Sequence, residues 1–305
     1  MEHAQHQTEE ADLVYRLEDK PPFFNALISA ITHLLAIFVP MVTPTLIVGG
    51  ALNLPVHMTA YLVSMAMVAS GIGTYIQVHR FGFIGSGMLS IQSVNFSFVS
   101  VMIAVGLSMK DNGIDEHTMI STLLGISFVG AFLVCGAAWI LPYLKRVITP
   151  TVSGVVVLLI GLSLIDIGIT DFGGGFGAKG TEAFGSLQNI GLAGLVLVVV
   201  LIFNCMRNPF LRMSGIAVGL ITGYIVALCL GMVDFSPLKD VDIFTIPVPF
   251  KYGFAFDWSA FWVAAIIYLL SVFEAVGDLT ATAMVSGQHY EGEEFRQRLR
   301  GGVFA

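Results

Sequence analysis

Glu274 and Asp278 stand one helical turn apart inside residues 258–286, a stretch long and apolar enough to cross a membrane. An acidic side chain at the centre of such a helix costs about 2.5 to 3.5 kcal/mol even on the lenient insertion scale. The i, i+4 spacing sets both acids on one face. Two such costs on one face require a cavity, a polar partner or a reaction. A carboxylate at membrane depth that holds a proton near neutral pH, and releases it when its surroundings change, meets the basic requirement for proton coupling. The plainer alternative is a structural pair satisfied by Ser, Thr and Asn of neighbouring helices. The stretch is strongly apolar before Glu274 and turns small and polar after it, with Gly277, Thr280 and Thr282. Its second half is therefore expected to line a cavity.

Two other apolar stretches carry groups that would face such a cavity. The first contains His33 and then Pro40 and Pro44. Proline removes backbone hydrogen bonds and kinks or breaks a helix, which a bilayer tolerates only where protein or a wet cavity satisfies the freed groups. His33 reads equally as a hydrogen-bonded core group or as a cavity organiser. The third stretch has polar residues Ser90, Gln92, Asn95 and Ser97 in near alternation, which suits an extended segment better than a helix. Interrupted spans of this kind build binding sites near the membrane midplane; a packed helix with interfacial serines is the other reading.

Other motifs carry less. Residues 175–180 form a Gly-x-Gly-x-x-Gly, but the loop follows a membrane span and opens no βαβ unit, so a dinucleotide site is not expected there. It reads as a flexible outer loop. Cys135, Cys205 and Cys229 form no Cys-x-x-Cys pair and read as buried, inert thiols. No Ser-His-Asp order, His-Glu-x-x-His or metal-spaced Cys/His cluster falls in a span, so no enzyme and no metal site are expected. With only 11% charged residues and 56% hydrophobic ones, the 305-residue chain reads as an all-α polytopic membrane protein. It has no basic footprint for nucleic acid. The polar, acid-rich N-terminus lacks the cationic region and cleavage site of a signal peptide.

Apolar runs of about twenty residues place eight spans, near 24–50, 59–78, 83–109, 119–141, 147–169, 189–204, 210–233 and 258–286. With the N-terminus inside, every arginine falls on the cytoplasmic side, and only Lys110, Lys179, Lys239 and Lys251 fall outside. The positive-inside rule is met without adjustment, and an odd count would break it.

Four stretches together resemble the nucleobase–ascorbate transporter family. Glu274-Ala-Val-Gly-Asp278-Leu-Thr-Ala-Thr is similar to its eighth-helix motif. Thr32-His33-Leu-Leu-Ala, Ser90-Ile-Gln-Ser-Val-Asn95-Phe and Arg146-Val-Ile-Thr-Pro-Thr-Val-Ser-Gly154 match in the first, third and fifth spans. Within the family, the bacterial xanthine permeases, which import the base with a proton, resemble it most. The resemblance implies fourteen spans in two inverted seven-helix repeats, with a core domain moving against a gate domain. It divides the chain into a cytoplasmic tail (1–22), core spans one to four (23–143), gate spans five to seven (144–234), an outer loop (235–257) and core span eight with a cytoplasmic end (258–305). Glu274 would accept hydrogen bonds from purine N–H groups and couple to the proton, with Asp278 tuning the proton site. His33, Gln92 and Asn95 would shape the pocket, and Phe96 would offer its ring to the base. The implied partners are a purine base, the lipid bilayer and, at full length, a second copy; the proton is the coupling ion and no cofactor is implied. The implied location is the bacterial inner membrane.

The chain stops at Ala305, where the family begins its ninth span, so an N-terminal fragment is expected. Xanthine is the leading substrate, with urate, guanine and uracil open. A non-transporting fragment that assembles with a full-length permease is the alternative from a different class. An anion carrier of the same fold would favour a cationic or dipolar site, and Glu274 argues against it.

Overall fold

A computed structural model describes residues 19–144, 150–233, 235–236, 248–288 and 292–305. Residues 1–18 of the tail, 146–149 of the fifth-span motif and 237–247 of the outer loop lie outside the described residues. The described chain is all-helical: α1 (Phe23–Ala51), α2 (Val56–His79), α3 (Ser97–Asp111), α4 (Glu116–Leu144), α5 (Pro150–Phe172), α6 (Leu187–Asn204), α7 (Pro209–Cys229), α8 (Trp258–Val285) and α9 (Gly292–Phe304). Helices α1, α2 and α4 to α8 overlap seven of the expected spans, and α3 takes up only the second half of the third, 83–109. Among the described residues, Val56–His79, Glu116–Ile140, Leu187–Asn204 and Trp258–Val285 are long and apolar enough to cross a membrane, and Ile37–Ala51 and Ser214–Cys229 are shorter apolar stretches.

Two expectations need correction. The first span is not broken: α1 runs through both Pro40 and Pro44. The Thr43 hydroxyl donates to the Val39 carbonyl one turn back on the helix at 2.7 Å. Second, Cys205 and Cys229 are exposed and only Cys135 is half-buried, because a membrane helix turns apolar side chains toward lipid as readily as toward a core. The 292–304 segment after the last span is also a helix, α9, whose Phe295, Leu299 and Val303 are buried. Their i, i+4, i+8 spacing forms one stripe, which packs against α4 and α8.

Helix α8 is the central support. The Asp257 carboxylate caps it by accepting from the Ala260 N–H at 2.8 Å. Its buried stripe runs Phe261, Ala264, Ala265, Tyr268, Val272, Val276, Leu279 and Ala283, a period of 3.6 that faces α3 and α4. Small residues on α4 admit this stripe. A Cβ on Gly130 would lie 2.3 Å from the Tyr268 ring, and one on Gly125 would lie 1.9 Å from the carbonyl oxygen of Ala255, in the segment leading into α8. These close approaches fix the rotation of α8 and so the direction in which Glu274 points. The 173–186 loop is closed on itself by the Gly185 N–H donating to Gly173 at 2.8 Å.

Candidate substrate and proton site

The chain leaves α2 at His79 and does not return to helix until Ser97. Extended backbone in a bilayer must find partners for its N–H and C=O groups within the protein. At Gln92, α2 supplies them. The Ser70 hydroxyl donates to the Gln92 carbonyl, and Thr74 Oγ1 accepts from the Gln92 N–H at 2.9 Å. Ser70 and Thr74 are four apart on α2, so one helical face pins the segment.

Beyond Gln92, Asn95 has its amide orientation fixed at both ends. Its Oδ1 accepts from the Ser97 N–H at 2.8 Å, and its Nδ2 donates to Oε2 of Glu274. The other carboxylate oxygen, Oε1, accepts from the Ser97 hydroxyl at 2.6 Å. Glu274 thus lies against the first turn of α3, where unpaired N–H groups and the positive end of the helix dipole favour negative charge. Two hydrogen bonds to a charged group are worth about 1.5 to 3 kcal/mol each, enough to offset about 3 kcal/mol for placing one acid at membrane depth. The carboxylate is satisfied, yet it is also accessible. It lines a cavity of about 810 Å³ together with Gln92, Asn95, Phe96, Ser271 and Asp278. A cavity of this size is ample for a small planar base.

Asp278 lies one turn further along α8 and is exposed, facing the same cavity. Its backbone carbonyl accepts from the Thr282 hydroxyl at 2.8 Å. The cavity has a second wall: Gly302, Val303 and Ala305, at the end of α9, also line it. A separate apolar cavity of about 450 Å³ lies on the far side of Val94, Asn95 and Phe98, against α1, α2 and α4.

The structure therefore brings Glu274, Asp278, Gln92, Asn95 and Phe96 together around one space. His33 lies elsewhere. Its Nδ1 is 3.0 Å from the Ser29 carbonyl oxygen one turn back on α1, and it lines neither cavity. Sequence reasoning missed Ser97 as the second partner of Glu274, although the alternation of residues 90–97 pointed at it. It also missed Ser70 and Thr74, whose only signal was their spacing, and the contribution of α9.

A model described as the permease family matches residues 24–305. The xanthine permease XanQ of Escherichia coli is 65% identical over 295 residues, which cover 97% of this chain and 63% of the relative. The xanthine permease XanP of Escherichia coli is 40% identical over 301 residues, covering 98% of this chain and 65% of that relative. The chain thus spans somewhat under two thirds of the length of these relatives.

Proposed function

The chain belongs to the permease family, and on that premise we propose that it takes a purine base, xanthine, across the membrane together with a proton. The observation that carries this reading is the Glu274 carboxylate, held by Asn95 and Ser97 yet open to an 810 Å³ cavity. An ionised carboxylate accepts hydrogen bonds from ring N–H groups, and it accepts fewer once protonated. Base and proton thus compete for Glu274 itself, so the base takes the ionised carboxylate and the proton it displaces is carried on Asp278 in the same cavity. Asp278, in the same cavity, tunes the proton affinity through its charge. Gln92 and Asn95 present amide groups to the base, and the Phe96 ring stacks against its face. That two relatives are named as xanthine permeases favours xanthine over urate, guanine or uracil.

In this reading the protein resides in the inner membrane with its N-terminus cytoplasmic. Residues 23–143 and 258–305 form the moving core and 144–234 the gate, through which two copies pair. Uptake of radiolabelled xanthine by cells expressing the protein, with and without an uncoupler, tests the function. The expected result is uptake that collapses when the proton gradient does. Uptake indifferent to the uncoupler would remove proton coupling, and absence of xanthine uptake alongside uptake of another base would reassign the substrate.

A further inference from the structure

Glu274 has two carboxylate oxygens, and the chain meets them with two chemically different groups. Oε2 faces the amide nitrogen of Asn95. That nitrogen can only donate, and the amide cannot flip, because its Oδ1 is committed to the Ser97 N–H at 2.8 Å. A proton on Oε2 would set two donors against each other. Oε1 faces the Ser97 hydroxyl at 2.6 Å. A hydroxyl carries one donor and two acceptor lone pairs, and its hydrogen rotates to suit. A proton on Oε1 can therefore donate to Ser97 Oγ, while Oε2 continues to accept from Asn95.

We propose that Ser97 is a positioning residue that holds the Glu274 carboxyl in both protonation states, with the proton residing on Oε1. This rests on the reading of Glu274 as the base- and proton-binding group. Asn95 fixes the orientation of the carboxyl and Ser97 reverses its role as the proton comes and goes, so the side chain stays in place through the cycle. Hydrogen bonds to an ionised group are roughly twice as strong as neutral ones, so loss of Ser97 weakens the ionised state more than the protonated one.

Among the described residues, Asp278 on α8 is the one other acidic or basic side chain that lines the cavity. Tyr268 on the same helix opens to the second cavity. Cys135 on α4, Lys110 and Asp111 on α3, Asp166 on α5 and Arg298 on α9 do not line the first one. Asp278 is unchanged in the Ser97 variants, so a displaced pH response in them reports on Glu274.

The test is equilibrium binding of radiolabelled xanthine to purified protein between pH 5 and pH 9, for the parent, Ser97→Ala, Ser97→Thr and Glu274→Gln. The expected result for Ser97→Ala is about tenfold weaker binding at neutral pH, with the acid limb of the profile moved toward neutrality; Ser97→Thr keeps the parent profile. Parent-like binding by Ser97→Ala would overturn the proposal. So would a loss with an unmoved acid limb, or an equal loss in Ser97→Thr, either of which marks Ser97 as packing alone. Should Ser97→Ala not purify folded, Ser97→Cys, a weaker donor, shows the same displacement at smaller size, and an unmoved limb there overturns the proposal equally. Glu274→Gln binding like the parent would instead remove the reading of the site on which this inference rests.

Discussion

The backbone N–H of Gly85 donates to the carbonyl of Gly301 at 2.7 Å, tying the irregular chain after α2 to the last helix across more than two hundred residues of sequence. Both positions need glycine. Gly85 has φ +91°, and a Cβ there would lie 2.4 Å from the Ile76 carbonyl oxygen; a Cβ on Gly301 would lie 2.4 Å from the Gly85 carbonyl oxygen. These are backbone atoms that cannot rotate away. Gly301→Ala should therefore destabilise the protein by about 1 to 3 kcal/mol, read as a lower thermal midpoint in detergent. Gly136→Ala on α4, where a Cβ meets nothing within 4 Å, is the control and should be neutral or slightly stabilising. Equal midpoints for the two variants would contradict the tie.

The pinning of the extended segment by α2 makes a second prediction. Removing both hydroxyls, in Ser70→Ala with Thr74→Val, strands the Gln92 N–H and carbonyl. An unsatisfied buried backbone group costs about 1 to 3 kcal/mol. The segment should loosen, and xanthine affinity should fall by about tenfold, which corresponds to about 1.4 kcal/mol. Calorimetry of binding checks this, and unchanged affinity would mean that the segment holds itself.

Asn95→Asp separates the two duties of Asn95. One aspartate oxygen can still accept from the Ser97 N–H, so the start of α3 and the thermal midpoint should change little. The other oxygen replaces the donor that faces Glu274 and sets two carboxylates against each other. Xanthine binding at neutral pH should weaken at least tenfold. Parent-like binding would show that the amide donor does not organise Glu274.

A pH-dependent contribution to stability lies outside the membrane, at the start of α4. The Thr118 hydroxyl and N–H bond to the Asp115 carboxylate at 2.7 and 3.0 Å and hold it below its ordinary value of 3.8. A carboxyl depressed on folding stabilises the protein above its unfolded value and loses that contribution as pH falls through the folded one. Asp115→Ala should therefore lower the thermal midpoint at pH 7, and the gap to the parent should close as pH falls below 3.8. A gap independent of pH would assign the effect to helix propensity.

Much of the architecture was legible in the sequence because lipid imposes a simple rule, an apolar run of fixed length for each crossing. Seven of the eight runs are helices through most of their length, the third is helical only from Ser97, and α8 begins at Trp258 as expected. The interruption before α3 was legible from the alternation of Ser90, Gln92, Asn95 and Ser97, since that period is a strand's rather than a helix's. Helix α9 was hidden because Glu293, Glu294, Arg296, Arg298 and Arg300 make the segment look like a solvated end, while its buried stripe has only Phe295, Leu299 and Val303. Proline misled at α1, which stays helical through both Pro40 and Pro44. The acidic pair was visible from its cost alone. Which groups offset that cost was not, because Asn95 and Ser97 are some 180 residues away in sequence and meet Glu274 only through packing.

The central claim is that the Glu274 carboxylate, held by Asn95 and Ser97, receives the base. The most direct measurement is equilibrium binding of radiolabelled xanthine to purified Glu274→Gln beside the parent at neutral pH. Glutamine keeps the size and one acceptor but replaces the other with a donor pair. The account predicts affinity at least a hundredfold weaker with an unchanged fold by thermal melting. Binding within a factor of two of the parent would contradict it and move the site away from Glu274.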